Sequence, residues 1–187
     1  MWRDSEHSYG LVAILLHWVV AAGVIGLFVL GVWMVGLTYY DPWYNRAPDW
    51  HRSLGVLLLG ILVLRIVWRL AVPRPAAEPG HKPWERVLGH AAHVSLNLLT
   101  LAVILAGYLI SSADGSAVAV FDWFRVPAAF DGFERQETLA GVWHKWLAYA
   151  LIGLAALHAL AALKHHFVDR DRTLRRILWP TRGRDGE

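Results

Sequence analysis

Four stretches of nearly unbroken apolar residues alternate with short polar segments along this chain, at about 11–37, 54–72, 91–110 and 143–163. Each is close to or beyond the ~20 residues that a helix needs to cross the ~30 Å hydrocarbon layer of a bilayer. Lipid offers backbone N–H and C=O groups no partner, so the pattern predicts four transmembrane α-helices. Pro73, Pro75, Pro79 and Pro83 stop the second span and set it apart from the third. Asp114, Gly115, Pro127 and Gly132 mark a longer loop before the fourth. The first run outlasts a signal-peptide core and leads into the bulky WMVGLTYYDPWY with no small-residue cleavage site, so it reads as a retained helix. The spans are spaced along the whole length and leave no room for a sizeable soluble domain, which predicts one all-α integral membrane domain over 1–187, a four-helix bundle with a loose tail after Trp179.

Composition agrees: 56% of the 187 residues are hydrophobic. Cysteine is absent, which excludes disulfides, iron–sulfur ligation and thiol nucleophiles and leaves His, Met and carboxylates as metal ligands. The net charge of +3 is too small to indicate nucleic-acid binding. The basic residues report topology instead. An even number of spans puts both termini on one side. The opposite side then carries Arg46, Arg52, Arg125, Arg135 and Lys145, leaving 13 of the 18 Lys and Arg on the side of the termini. The positive-inside rule makes that side cytoplasmic. Trp33, Tyr39, Tyr40, Trp43, Tyr44, Trp50, Trp143 and Trp146 at the outer helix ends, and Trp68, Trp84 and Trp179 at the inner ends, have the placement of interfacial belts.

Polar groups inside a membrane are costly and tend to be functional. His144 and His158 stand 14 residues apart in the fourth span. That interval is about 21 Å of helix and roughly 40° short of four turns, so the two share a face at different depths. With cytoplasmic termini, His51 lies at the outer end of helix two, level with His144, and His17 lies towards the inner end of helix one, level with His158. Zinc asks for four ligands, whereas haem brings four nitrogens of its own and needs two imidazoles. Two stacked two-histidine sites therefore imply two haems, and without a C-x-x-C-H motif these are non-covalent b-type haems. Ala21, Ala22, Gly23, Gly55, Gly153, Ala155, Ala156 and Ala159 supply small side chains that either open space for a porphyrin beside the ligands or serve plain helix packing.

His90 and His93, at the entrance of helix three, compete with His17 for the inner position. His165 and His166 read as solvated or lipid-facing boundary residues, and His7 and His81 as surface residues. Arg65 follows His51 by 14 residues on nearly the same face and reaches the inner level, where a guanidinium either pairs with a haem propionate or snorkels. Arg52 and Lys145, beside the outer ligands, are candidates for the outer propionates. Ser53, Asn97, Asp114 and Asp122 are polar positions near helix ends available to a quinone.

LLHW, HRSLG, LRIVWRL, GHAAHVSL and VWHKWLAYALIGLAALHALAALKHHF followed by DRTLRRILWP together resemble the bacterial cytochrome b561 family over nearly the whole chain. The resemblance implies a four-helix, two-haem protein of the inner membrane with His17, His51, His144 and His158 as axial ligands. It also implies an electron carrier, since some members move electrons between superoxide and ubiquinone. The expected partners are thus membrane lipid, a quinone and a periplasmic one-electron donor, superoxide among the candidates. Two other classes fit the histidines: a haem-bearing anchor for a redox complex, and a proton or metal transporter with a histidine relay. The absence of intramembrane Asp and Glu counts against the second.

Overall fold

The computed structural model describes residues 2–5, 8–73, 75–76, 78, 80–129 and 132–179. His7, Arg74, Pro79, Arg182, Arg184 and the tail from 180 onward, all used in the reading above, lie outside the described residues. The chain forms α1 (Leu11–Met34), α2 (Arg46–Ala71), α3 (Pro83–Ser111), β1 (Val118–Val120), β2 (Phe124–Val126), α4 (Gln136–Phe167) and α5 (Thr173–Leu178). The four long helices are the ones expected, and each is long and apolar enough to cross a membrane.

Their ends differ from the apolar limits for local reasons. α2 begins at Arg46, eight residues before the apolar run, and carries Pro48 in its first turn, where a missing N–H leaves no bond unmade. Pro83 opens α3 in the same way. α1 stops at Met34 rather than near Leu37, because the chain turns there: Gly36 N–H donates to Trp33 O at 3.1 Å, and Asp41 Oδ2 accepts from the Thr38 N–H at 2.7 Å and its hydroxyl at 2.8 Å. α4 runs 32 residues, about 48 Å at the helical rise, so its ends outreach the hydrocarbon.

Contacts gather into two compact units: Met1–Val20, Ile61–Leu96 and Gly153–Glu187 in one, Ala21–Gly60 and Asn97–Ile152 in the other. In the first, Leu62, Ile14 and Val20 are buried. Short α5 is tied down by polar bonds: Trp18 Nε1 donates to Ile177 O at 2.9 Å, and Arg176 donates to Ala76 O at 2.9 Å and Glu78 at 3.2 Å. Arg170 turns the chain back with a left-handed φ of 55°, and Asp171 Oδ1 accepts from Thr173 N–H at 2.8 Å. Burial alone would raise the Asp171 carboxyl, but hydrogen bonds from Thr173 and His81 hold it below the usual carboxylate range.

In the second unit, Ala47, Leu58, Ala106, Val118, Val120, Ala140 and Leu151 are buried. The loop before α4 holds an antiparallel hairpin with Val118 opposite Val126 and Val120 opposite Phe124, a departure from the plain loop expected. Phe121 turns it with a φ of 45° while its N–H donates to the buried Ser53 hydroxyl at 2.8 Å, and its ring meets Trp50 at 5.5 Å. Buried Gln136 links α4 to α3 by donating to Leu109 O at 2.9 Å.

Leu15, Val19, Ile25 and Val29 of α1, Val63, Leu64 and Val67 of α2, and Leu157, Leu160 and Leu163 of α4 are exposed. Apolar faces of this extent suit a lipid environment. Trp33, Tyr39, Tyr40, Trp43, Tyr44, Trp50, Trp143 and Trp146 are exposed at helix ends as expected of a belt, whereas Trp68 is half-buried.

Two clusters of imidazoles

In the unit that holds His51 and His144, their rings meet edge to face with centroids 6.0 Å apart. Two imidazoles that share one iron at ~2 Å each place their ring centres about 6 Å apart, so the separation suits an axial pair. His144 Nδ1 donates to Val103 O at 2.9 Å, which assigns the proton to that nitrogen and leaves the Nε2 lone pair available to a metal. His51 Nδ1 is buried and has no hydrogen-bond partner among the described residues.

Each of these rings lies on a glycine of the preceding helix. A Cβ on Gly31 of α1 would stand 3.1 Å from His51 Cε1, and one on Gly107 of α3 would stand 3.1 Å from His144 Cε1 and 3.2 Å from its Nδ1. The sequence reading missed both glycines. Of the glycines expected to open space, Gly23 packs against Leu58, whereas Gly55 and Gly153 border open space. Gly107→Ala is expected to weaken haem retention at this site about tenfold, because His144 cannot retreat without stretching its bond to Val103 and overpacking costs about 1–3 kcal/mol. Titration of haem into apo-protein measures it; unchanged affinity would show that the glycine is incidental.

The other unit gathers His17, His93, His158 and Arg65. His93 and His158 have ring centroids 5.0 Å apart, and Arg65 Nη2 stands 3.5 Å from His17 Nδ1. His93, half-buried, therefore belongs to this cluster, while His90 is exposed. A guanidinium can only donate, so His17 Nδ1 faces it as an acceptor. Arg52 forms an ion pair with Asp49 one turn earlier on α2, and Lys145 is exposed. Of the polar positions considered for a quinone, Ser53 is engaged by Phe121, Asp114 accepts from Ser116 N–H at 3.0 Å, and Asp122 is exposed.

Two expectations are corrected. His81 is not a free surface residue: it is half-buried and bonded to Asp171 at 2.9 Å and Thr173 at 3.1 Å. His165 and His166 are half-buried as well, His165 against the His81 ring and His166 against Phe167. The turn at Arg170 folds the chain back over them, which apolar patterning does not reveal.

A family model described as prokaryotic cytochrome b561 matches residues 8–180. Among curated proteins, the chain is 46% identical over 177 residues to cytochrome b561 homolog 2 of Escherichia coli strain K12, covering 95% of this chain and 94% of that one. It is 32% identical over 182 residues to the probable superoxide oxidase CybB of Yersinia pestis, covering 94% and 98%. Cytochrome b562 of Cereibacter sphaeroides is 30% identical over 183 residues, again covering 94% and 98%.

Proposed function

The chain belongs to the prokaryotic cytochrome b561 family, and on that premise we propose that it carries two b-type haems and moves electrons between a periplasmic one-electron donor and membrane quinone. Membership makes it a bacterial membrane protein of electron transfer and implies b-type haem. The count of two, the donor and the acceptor are our reading.

The observation that carries it is the facing pair His51 and His144, 6.0 Å apart, each ring seated on a glycine. In this reading they hold one haem, and His17 and His158 hold the other. When bound, haem would supply a one-electron couple, and with two histidines holding each iron the chemistry that fits would be outer-sphere electron transfer. Arg65, beside His17, would hold a propionate of the haem that His17 would ligate. Arg52, now paired with Asp49, and exposed Lys145 would hold the propionates of the outer haem. The chain is a single cytochrome domain of the inner membrane with both termini cytoplasmic, following the charge bias. Superoxide is the donor we favour, since the Yersinia relative is named for its oxidation.

Purified, haem-loaded chain in vesicles containing ubiquinone tests the function. Superoxide supplied from outside is expected to drive quinone reduction that haem-free protein does not support. Reduced haem with no reduction of quinone would reject the acceptor and favour an anchoring role.

A further inference from the structure

His81, His165 and Asp171 come from three places in the chain: the link before α3, the last turn of α4 and the turn before α5. Asp171 spends Oδ1 on Thr173 N–H at 2.8 Å, which aims Oδ2 at both imidazoles, 2.9 Å from His81 Nε2 and 3.0 Å from His165 Nδ1. The two rings lie 4.5 Å apart at 36°, close to stacked, so their nitrogens converge on one carboxylate. All three ligand atoms fall within 4.8 Å of one another.

His165 Nδ1 is the telling atom. It is buried and has two carboxylate oxygens nearby, Asp169 at 2.8 Å and Asp171 at 3.0 Å, yet neither satisfies it as a hydrogen bond. A nitrogen enclosed by anions but left without an aligned partner is the arrangement of a ligand around a cation. Asp169 is held by Lys164 at 2.6 Å, and Lys164 also bonds Glu85 at 3.1 Å, so Asp169 is already neutralised. Two imidazoles with one carboxylate form a borderline-soft donor set, suited to zinc and its neighbours rather than to magnesium or calcium.

We propose that His81, His165 and Asp171 bind one divalent transition-metal ion of the zinc class, with water completing its coordination. The ion joins the link before α3 to the end of α4 and the start of α5. The site is separate from the two imidazole clusters and does not depend on how the haems are assigned: His165 lies seven residues beyond His158.

Tag-free, haem-loaded protein, stripped with chelator, exposed to micromolar zinc chloride and desalted, is expected to retain about one zinc per chain. His81→Ala and Asp171→Asn are each expected to fall below about 0.2 zinc with the haem spectrum unchanged, whereas His166→Ala keeps its zinc. A normal haem spectrum in each variant certifies that it has folded. Should His81→Ala fail that check, Asp171→Asn alone decides, because it preserves shape. Wild-type protein without zinc, or variants that retain it as well as wild type, would overturn the proposal and leave the cluster as a hydrogen-bonded clamp.

Discussion

His144→Ala is expected to halve the haem content of the purified protein, from about two per chain to about one. The argument rests on what surrounds the ring. His144 is fixed by its bond to Val103 O at 2.9 Å and by contact with Gly107, and it faces His51 across 6.0 Å. Removing it would leave His51 alone, and a porphyrin held by one imidazole would be lost in detergent. His51→Ala should give the same loss. His144→Met separates ligation from folding: a thioether can still bind the iron, so the second haem should return with a raised midpoint potential. Pyridine haemochrome assay against protein concentration measures the content. Two haems in both alanine variants would sink the pairing.

The second large effect concerns the inner cluster, where three histidines compete for two axial positions. His17→Ala and His158→Ala are each expected to remove the other haem, again about half the total, while His93→Ala keeps both. The ring of His93 lies 5.0 Å from that of His158, which allows it to position the ligand without binding iron. Arg65, 3.5 Å from His17, places a positive charge beside the same site and favours the reduced state. Arg65→Gln should therefore lower the inner midpoint potential and leave the outer one unmoved, as read by spectroelectrochemical titration. Loss of a haem in His93→Ala together with retention in His17→Ala would reassign the ligand to α3.

Much of this was legible in the sequence because depth in a helix hairpin is counted from its loop. His17 and Arg65 are equidistant from residue 41, as are Gly31 and His51; both pairs are in contact. His93 and His158, and likewise Gly107 and His144, are equidistant from a point between Arg125 and Val126 in the second strand of the hairpin, and both pairs are in contact too. The interval between histidine and glycine is 14 residues on α1 and on α3, the same interval that separates His51 from Arg65 and His144 from His158. The same centres that pair His17 with Arg65 and His93 with His158 pair Gly31 with His51 and Gly107 with His144. A glycine in an apolar run otherwise reads as plain helix packing.

What stayed hidden depends on tertiary turns. The hairpin at 118–126 has strands of three residues, too short for an alternating pattern to register. The grouping of His81 with His165 and Asp171 depends on the left-handed turn at Arg170 and on contact between segments some 90 residues apart. No helical or strand period links such positions.

The central claim, two b-type haems each held by two histidines, is tested most directly by low-temperature electron paramagnetic resonance of the oxidised protein, together with its haem-to-protein ratio. The account predicts about two haems per chain, both low-spin ferric. A colourless but folded preparation, a single haem, or a dominant high-spin signal from five-coordinate iron would contradict it.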